Sequence, residues 1–323
     1  MTRTPSDRAT RRGLAIRDPL PWRDLVEIVQ TAEQAGYEAL FVPESSGREA
    51  FSTLAGLSGY TDALLLGTGI VTIVARRLST TAMAAATLYE ISGGRLVLGL
   101  GTGPVGPGVL DRLREYVTLL RSALAGEEVE TPENDRFRLS FHPGREAVPI
   151  WLAALNPRAM RLAGEVADGV LLNWCPPERV AFARERIREG AEAAGRDPAS
   201  VTLAVYVRAC VGQEPGAAMA ALAGMVAQYA SYPAYRRQFE AVGLGEQAGA
   251  AAEALAAGKP DRVPEELVRR VCLTGEALEA RAGLRAYADA GADLPVVYPV
   301  ATRDALSSIL GTAFALALHT EVA

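Results

Sequence analysis

Residues 88–103 read LYEISGGRLVLGLGTG, and the fold turns on how this stretch is parsed. The run Leu96, Val97, Leu98, Gly99, Leu100 has no polar alternation. It reads as a strand buried on both faces, the habit of parallel strands in α/β proteins. Gly93 and Gly94 suit a helix C-terminus, where a residue turns left-handed without a Cβ penalty. Gly101, Thr102 and Gly103 follow the strand directly, at the place where an α/β protein lets backbone approach a ligand. Taken alone, the stretch is equally an ordinary turn followed by a buried strand.

Working outward, the chain alternates. A short strand at 13–17 precedes a Pro-rich turn at 18–21 and an amphipathic helix at 22–35, with Leu25, Ile28, Val29 and Ala32 on one face. A strand at 37–42 ends in Pro43, Glu44, Ser45, Ser46 and Gly47, and 48–59 reads as helix. Strand three, LLLGTGIVTIV within 63–74, is interrupted by Gly67 and Gly69. Glycines inside an apolar strand point to a bulge or to close approach of a ligand. Ser79 or Thr80 is expected to cap a helix to about 91, and 96–100 is strand four. The second half repeats the pattern: helix 109–125, a charged loop at 126–148 with a possible hairpin, and strand 149–155. A helix opening at Asn156 and Pro157 follows, with Pro at a favourable early position. Strand 169–174, helix 177–194 and strand 201–211 come next. Residues 212–274 read as an Ala-rich, mostly helical insertion, followed by helix 276–290, strand 294–300 and a closing helical segment at 302–318.

Eight strands, each followed by a helix, predict a (β/α)8 TIM barrel with a helical insertion after strand seven. The rival is a doubly wound sheet plus a helical domain. Residues 1–12 read as a disordered leader, and 13–323 as one barrel domain carrying the insertion at about 212–274.

With 323 residues of which 49% are apolar, the chain can bury a sizeable core. A net charge of −5 and a pI near 5.4 argue against a nucleic-acid groove or an anionic membrane surface. Cys175, Cys210 and Cys272 have no paired spacing and fit a reducing compartment. His142 and His319 alone leave little for a His-based metal site or a Ser-His-Asp triad. The N-terminal 13 residues lack the apolar core of a secretory signal, and 309–318 is too short and broken to span a bilayer. A soluble, cytoplasmic protein is expected.

Barrel enzymes carry their chemistry on the loops after the strand C-termini. That rule selects Arg17, Asp18, Glu44, residues 72–76, Thr102, Gly103, residues 156–158, Trp174, Cys175, Arg208 and Tyr298. The set has an early carboxylate in Glu44, glycine loops, arginines and aromatics, without a nucleophile–base pair or a metal-ligand cluster. Such a set suits a large cofactor that carries the chemistry itself. Each member also has a plainer reading. Glu44 could cap the next helix or pair with Arg48, and Arg76 and Arg77 could be a solvated pair. Arg158 could be a surface charge, yet the helix N-terminus at Asn156 offers free N–H groups and a positive dipole to a phosphate.

Together AEQAGYEALFVPES (32–45), GREAF (47–51), LLLGTGIVTI (64–73), LYEISGGRLVLGLGTG (88–103) and LAGEVADGVLLNW (162–174) resemble the luciferase-like monooxygenase superfamily. The chain looks closest to the branch using coenzyme F420, which includes methylene-tetrahydromethanopterin reductase. The resemblance covers 13–211 well and the C-terminal third more loosely. It implies a non-proline cis peptide at Gly69–Ile70 beneath the deazaflavin ring, with Val71 beside it. It also implies backbone contacts from Thr102 and Gly103 and a phosphate loop at Asn156, Pro157, Arg158 and Ala159. Glu44 falls where members carry an acidic residue or a histidine near the reacting carbon. Arg17, Trp174, Arg208 and Tyr298 are the expected substrate pocket. Two departures stand out: PVGPGVLDRLREY after Gly103 is shorter than the usual loop, and the common His at the end of strand two is absent.

The expected activity is hydride transfer between C5 of coenzyme F420 and an organic substrate, reducing a C=C or C=N bond, with Glu44 as proton donor or relay. The expected substrate is a small molecule or a modified peptide, and the expected assembly a homodimer. The alternatives are an FMN-dependent monooxygenase and a non-catalytic cofactor-binding or scaffold barrel.

Overall fold

In the computed structural model of the chain, the described residues are 11–17, 20–103, 106–142 and 147–318. Residues 1–10 of the expected leader, and Asp18, lie outside them. The order is β1 (Gly13–Ala15), α1 (Trp22–Gln34), β2 (Ala39–Val42), α2 (Ala50–Leu57), β3 (Leu65–Thr68), β4 (Val71–Thr72), α3 (Leu78–Ile91) and β5 (Leu96–Gly101). Then come α4 (Val109–Leu124), the hairpin strands β6 (Val129–Glu130) and β7 (Arg136–Phe137), β8 (Ile150–Ala153), α5 (Pro157–Val166), β9 (Gly169–Asn173) and α6 (Pro177–Ala193). The remainder is β10 (Thr202–Val211), α7 (Pro215–Ala230), α8 (Pro233–Glu240), α9 (Gly245–Ala256), α10 (Glu265–Val271), β11 (Cys272–Gly275), α11 (Ala277–Asp289), β12 (Leu294–Pro299) and α12 (Ala305–Ala315). The parallel strands form the expected (β/α)8 barrel, not the doubly wound rival, with α7 to α10 as the helical insertion after strand seven.

The chain parts into two compact units: Met1–Tyr37 with Leu172–Arg184 and Leu203–Ala323, and Glu38–Leu171 with Glu185–Thr202. In the second, β2 to β3, β3 to β5, β5 to β8 and β8 to the start of β9 run parallel. All six residues of β5 are buried, as an unbroken apolar run requires. Its delivery is also as expected: Gly94 sits at φ +85, and its N–H returns to Tyr89 O at 2.8 Å, closing the last turn of α3.

Strand three is broken by a one-residue bulge. Gly67 pairs with Val97 and Val71 with Leu100, so four steps on one strand face three on the other. Gly69 N–H donates to Val42 O, and Ile70 O accepts from Glu44 N–H, so the bulge keeps partners on β2 and its exit. Among the described residues no peptide bond is cis, which corrects the expectation at Gly69–Ile70. The extra residue is accommodated with trans geometry, its backbone held by these two hydrogen bonds to the end of β2 and the turn after it. Gly67 is small for a packing reason: a Cβ there would meet the Phe41 ring at 2.3 Å.

In the first unit, β1 pairs with β12, β12 with β10, and β10 with β11, all parallel. The strand β11 corrects the reading of 212–274 as helical to its end. Ten-residue β10 extends past its pairing with β12, and Arg208–Val211 offers backbone to Cys272–Gly275. A second correction concerns α3, which starts at Leu78 after Arg77 instead of being capped by Ser79 or Thr80. Arg77 O already accepts Thr81 N–H, which fixes the first turn there.

Candidate functional site

The second unit gathers the expected cofactor set and Glu44 at its strand ends. Glu44 lies in the turn after β2, its side chain 18% exposed. Arg76 approaches it bidentately, Nε to Oε1 at 3.1 Å and Nη2 to Oε2 at 2.8 Å, and Ala50 N–H donates to Oε2 at 3.0 Å. The carboxylate is therefore tied both to a guanidinium and to the start of α2. Arg76 also bonds Glu49 and lies 4.9 Å from the Phe51 ring centroid. The hydrogen bonds that Arg76 donates to Glu44 raise its guanidinium above its usual value, against desolvation. Burial works against ionisation of Glu49, yet hydrogen bonds from Ser52 and Phe51, together with Arg76, hold its carboxyl below the usual range. Arg76 is thus a central group that sequence reasoning left as half of a solvated pair. Arg77 does remain exposed, paired with Asp135. Glu44, Ser45, Arg48, Glu49, Arg76 and Thr80 line an open cleft of about 520 Å³.

Ile70, from the bulge, lies against β5. A Cβ on Gly101 would meet Ile70 Cδ1 at 2.6 Å, and one on Gly99 would meet Thr68 O at 2.1 Å. The two glycines of the opening stretch therefore make room for the bulge itself. Val71 rejoins the sheet and is buried, whereas Thr102 and Gly103 beyond β5 are partly open, with Gly103 at φ +70. At α5, Asn156 Oδ1 accepts Ala159 N–H at 3.0 Å, Asn156 O accepts Met160 N–H, and Pro157 has no N–H. Arg158, exposed, follows Pro157 in that first turn, and its N–H has no acceptor among the described residues.

The first unit brings together three of the four expected pocket residues. Arg208, on β10, is 2% exposed, and its guanidinium lies 4.1 Å from the ring centroid of Tyr298 and 4.7 Å from that of Trp174. Tyr229 at 5.3 Å and Tyr206 at 5.9 Å complete an aromatic cage. Nη1 donates to Asn173 Oδ1, and no carboxylate pairs with Arg208 among the described residues. Desolvated cation–π contacts are worth about 2 kcal/mol each and offset part of the several kcal/mol that a buried ion costs. Burial pushes the Tyr235 phenol up to about 12 and Tyr206 well above its ordinary value, so neither supplies countercharge. Asn173, Tyr206, Tyr229 and Tyr235 were not selected from sequence, since two lie within strands and two on the insertion. Arg17 is exposed after β1 and makes no hydrogen bond or ion pair among the described residues. The thiols are inert: burial pushes Cys175 and Cys272 up to about 12 and Cys210 to about 11.

Among the described residues no helix is long and apolar enough to cross a membrane, and no metal-binding cluster of His, Cys, Asp and Glu occurs. Residues 4–294 match the family model described as luciferase-like monooxygenase. A 5,10-methylenetetrahydromethanopterin reductase of Methanolobus tindarius is 35% identical over 64% of this chain and 66% of its own length, just under two thirds. A coenzyme F420-dependent oxidoreductase of Mycobacterium tuberculosis is 28% identical over 86% of this chain and 91% of its own. The solved coenzyme F420-dependent tetrahydromethanopterin reductase of Methanopyrus kandleri superposes with a TM-score of 0.77 at 22% identity, covering 93% of this chain and 96% of that one. The solved structure shares the barrel fold, and the match of the family model over residues 4–294 shows that the chain belongs to the luciferase-like monooxygenase family.

Proposed function

We propose that the protein is a coenzyme F420-dependent oxidoreductase that reduces a C=C or C=N bond of a small-molecule or modified-peptide substrate. The observation that carries this reading is the bulge at Gly69 and Ile70, whose glycine-bedded backbone ends on the rim shared with Thr102, Gly103 and the N-terminus of α5. The residues fit the cofactor by chemistry: the rim offers backbone groups to a tricyclic ring, and Arg158, with its uncommitted N–H, offers a phosphate site. Gly69, Ile70, Val71, Thr102 and Gly103 would hold the ring end, and Asn156, Pro157, Arg158 and Ala159 the phosphate. When bound, F420 supplies a hydride at C5. Glu44 would carry the proton, and Arg76 sets its orientation. Three hydrogen bonds point at the carboxylate, two at Oε2 and one at Oε1, so Oε1 keeps the lone pair that a proton would take.

The same reading treats residues 13–323 as one functional domain with 212–274 its insertion, working as a cytoplasmic homodimer, a state that sedimentation would settle. Titrating the protein with F420 and with FMN while following cofactor fluorescence tests the proposal. Quenching by F420, followed by anaerobic loss of reduced F420 with an acceptor, is expected. Tight FMN binding with no effect on F420 would favour the monooxygenase, and binding of neither the scaffold. Glu44→Gln should lower turnover and flatten its pH profile while leaving cofactor affinity within about threefold.

A further inference from the structure

We propose that Arg208 is a binding point for a carboxylate carried on a flat, unsaturated or aromatic body, with the Trp174 indole N–H as second donor. The cage presents a buried cation of five N–H donors with one acceptor among the described residues, Asn173 Oδ1. Nε of Arg208 and Nε1 of Trp174 are both buried without a hydrogen-bond partner from the protein. Two orphaned donors thus sit on side chains in contact, the guanidinium 4.7 Å from the indole ring centroid, within an aromatic box. Buried polar groups in native proteins are paired, so two unpaired donors at one spot point to a ligand acceptor. The guanidinium matches a planar carboxylate in geometry and single charge. Tyr298, Tyr206 and Tyr229 would flank a flat body, since their faces already line the cation.

Trp174 itself has φ +52, a left-handed conformation that a bulky residue adopts only where its surroundings enforce it. The insertion enforces it here. Tyr229 of α7 lies 5.0 Å from the indole, Phe239 of α8 packs edge-on at 6.2 Å, and Gln238 Nε2 donates to Asn173 O at 2.8 Å. Asn173 Nδ2 donates to Tyr235 of α8 at 2.8 Å. Asn173 thus joins the insertion to Arg208, and entry of a ligand requires α7 and α8 to lift from the cage.

The inference rests on the oxidoreductase reading only in calling the ligand a substrate group, and its test needs no cofactor. The full-length protein is titrated with benzoate and with its neutral counterpart benzamide, following tryptophan fluorescence and, in parallel, heat of binding. Benzoate should bind at least tenfold more tightly than benzamide, and Arg208→Gln should remove that preference while Arg208→Lys retains part of it. Trp174→Phe, which deletes the second donor, should weaken benzoate binding severalfold in the heat titration and remove most of the fluorescence change. Equal affinity for the two probes, or no binding of either to the wild-type protein, overturns the proposal whether or not the variants fold. F420 quenching measured on the same preparations reports separately. Its loss with benzoate selectivity intact sinks the cofactor reading and leaves the carboxylate site standing.

Discussion

Thr68 closes the gap that the bulge opens toward Gly99: its hydroxyl donates to Gly99 O at 2.8 Å and accepts Gly99 N–H at 2.7 Å. One side chain replaces two backbone partners that the extra residue has carried away from the ladder. Thr68→Val keeps the shape and leaves both buried backbone groups unsatisfied, at a cost of about 2–4 kcal/mol. Thr68→Ser keeps the hydroxyl and should lose under about 1.5 kcal/mol. Urea midpoints of the two variants check this, and a Val variant as stable as Ser would contradict it.

The glycines of β5 should differ sharply. At Gly99 a Cβ would strike backbone, the Thr68 carbonyl, which cannot withdraw without undoing the bulge. At Gly101 it would strike the tip of a side chain, Ile70 Cδ1. Gly101→Ala should therefore cost about 1–3 kcal/mol as overpacking, and Ile70→Val, which removes that methyl, should recover much of it. Gly99→Ala should be worse and should not respond to Ile70→Val. Thermal melts of the three single and two double variants give the coupling directly.

Acid should loosen the Glu44, Arg76, Glu49 cluster in a way that one residue reports. Glu49 titrates lower in the folded chain than its ordinary 4.5, so its contribution is complete above that value and fades as pH falls through the lower one. Arg76 is shifted upward from 12.5, so its own contribution stays constant throughout the acid range. Glu49 is half-exposed, and screening keeps its share under about 1 kcal/mol. Glu49→Gln should be slightly less stable at neutral pH and lose less on acidification to about pH 3. Denaturation curves at a series of pH values that run parallel for both proteins would remove Glu49 from the acid response.

The fold was legible because its signals are local. Alternating apolar runs, Gly93–Gly94 before β5 and Pro157 behind Asn156 each act within a few residues, and each element formed where its pattern lay. Long-range partners left no such mark. Nothing near Arg76 announces Glu44, 32 positions away, and nothing near Arg208 announces Asn173 or Tyr229. Gly101 looked like a ligand-facing glycine because small size signals close approach without saying by what. The approaching group is Ile70. The strand β11 was missed for a similar reason: four residues at the end of a helical tract carry too little pattern to outweigh it, and the edge of β10 decided their fate.

Asn156 separates a structural role from a cofactor role more cleanly than any other rim residue. Its Oδ1 caps α5 through Ala159 N–H, worth about 1 kcal/mol, so Asn156→Ala should lower stability by that amount. Asn156→Asp keeps a capping oxygen and adds negative charge at the helix N-terminus, which favours the folded chain through the dipole. If the first turn of α5 holds a phosphate, that same charge repels it, and the Asp variant should bind F420 at least tenfold more weakly while melting no lower than wild type. Fluorescence titration and a melting curve on one sample decide the matter. An Asp variant that is stable and still binds F420 normally would take the phosphate away from Asn156 and Arg158 and leave that turn with capping as its work.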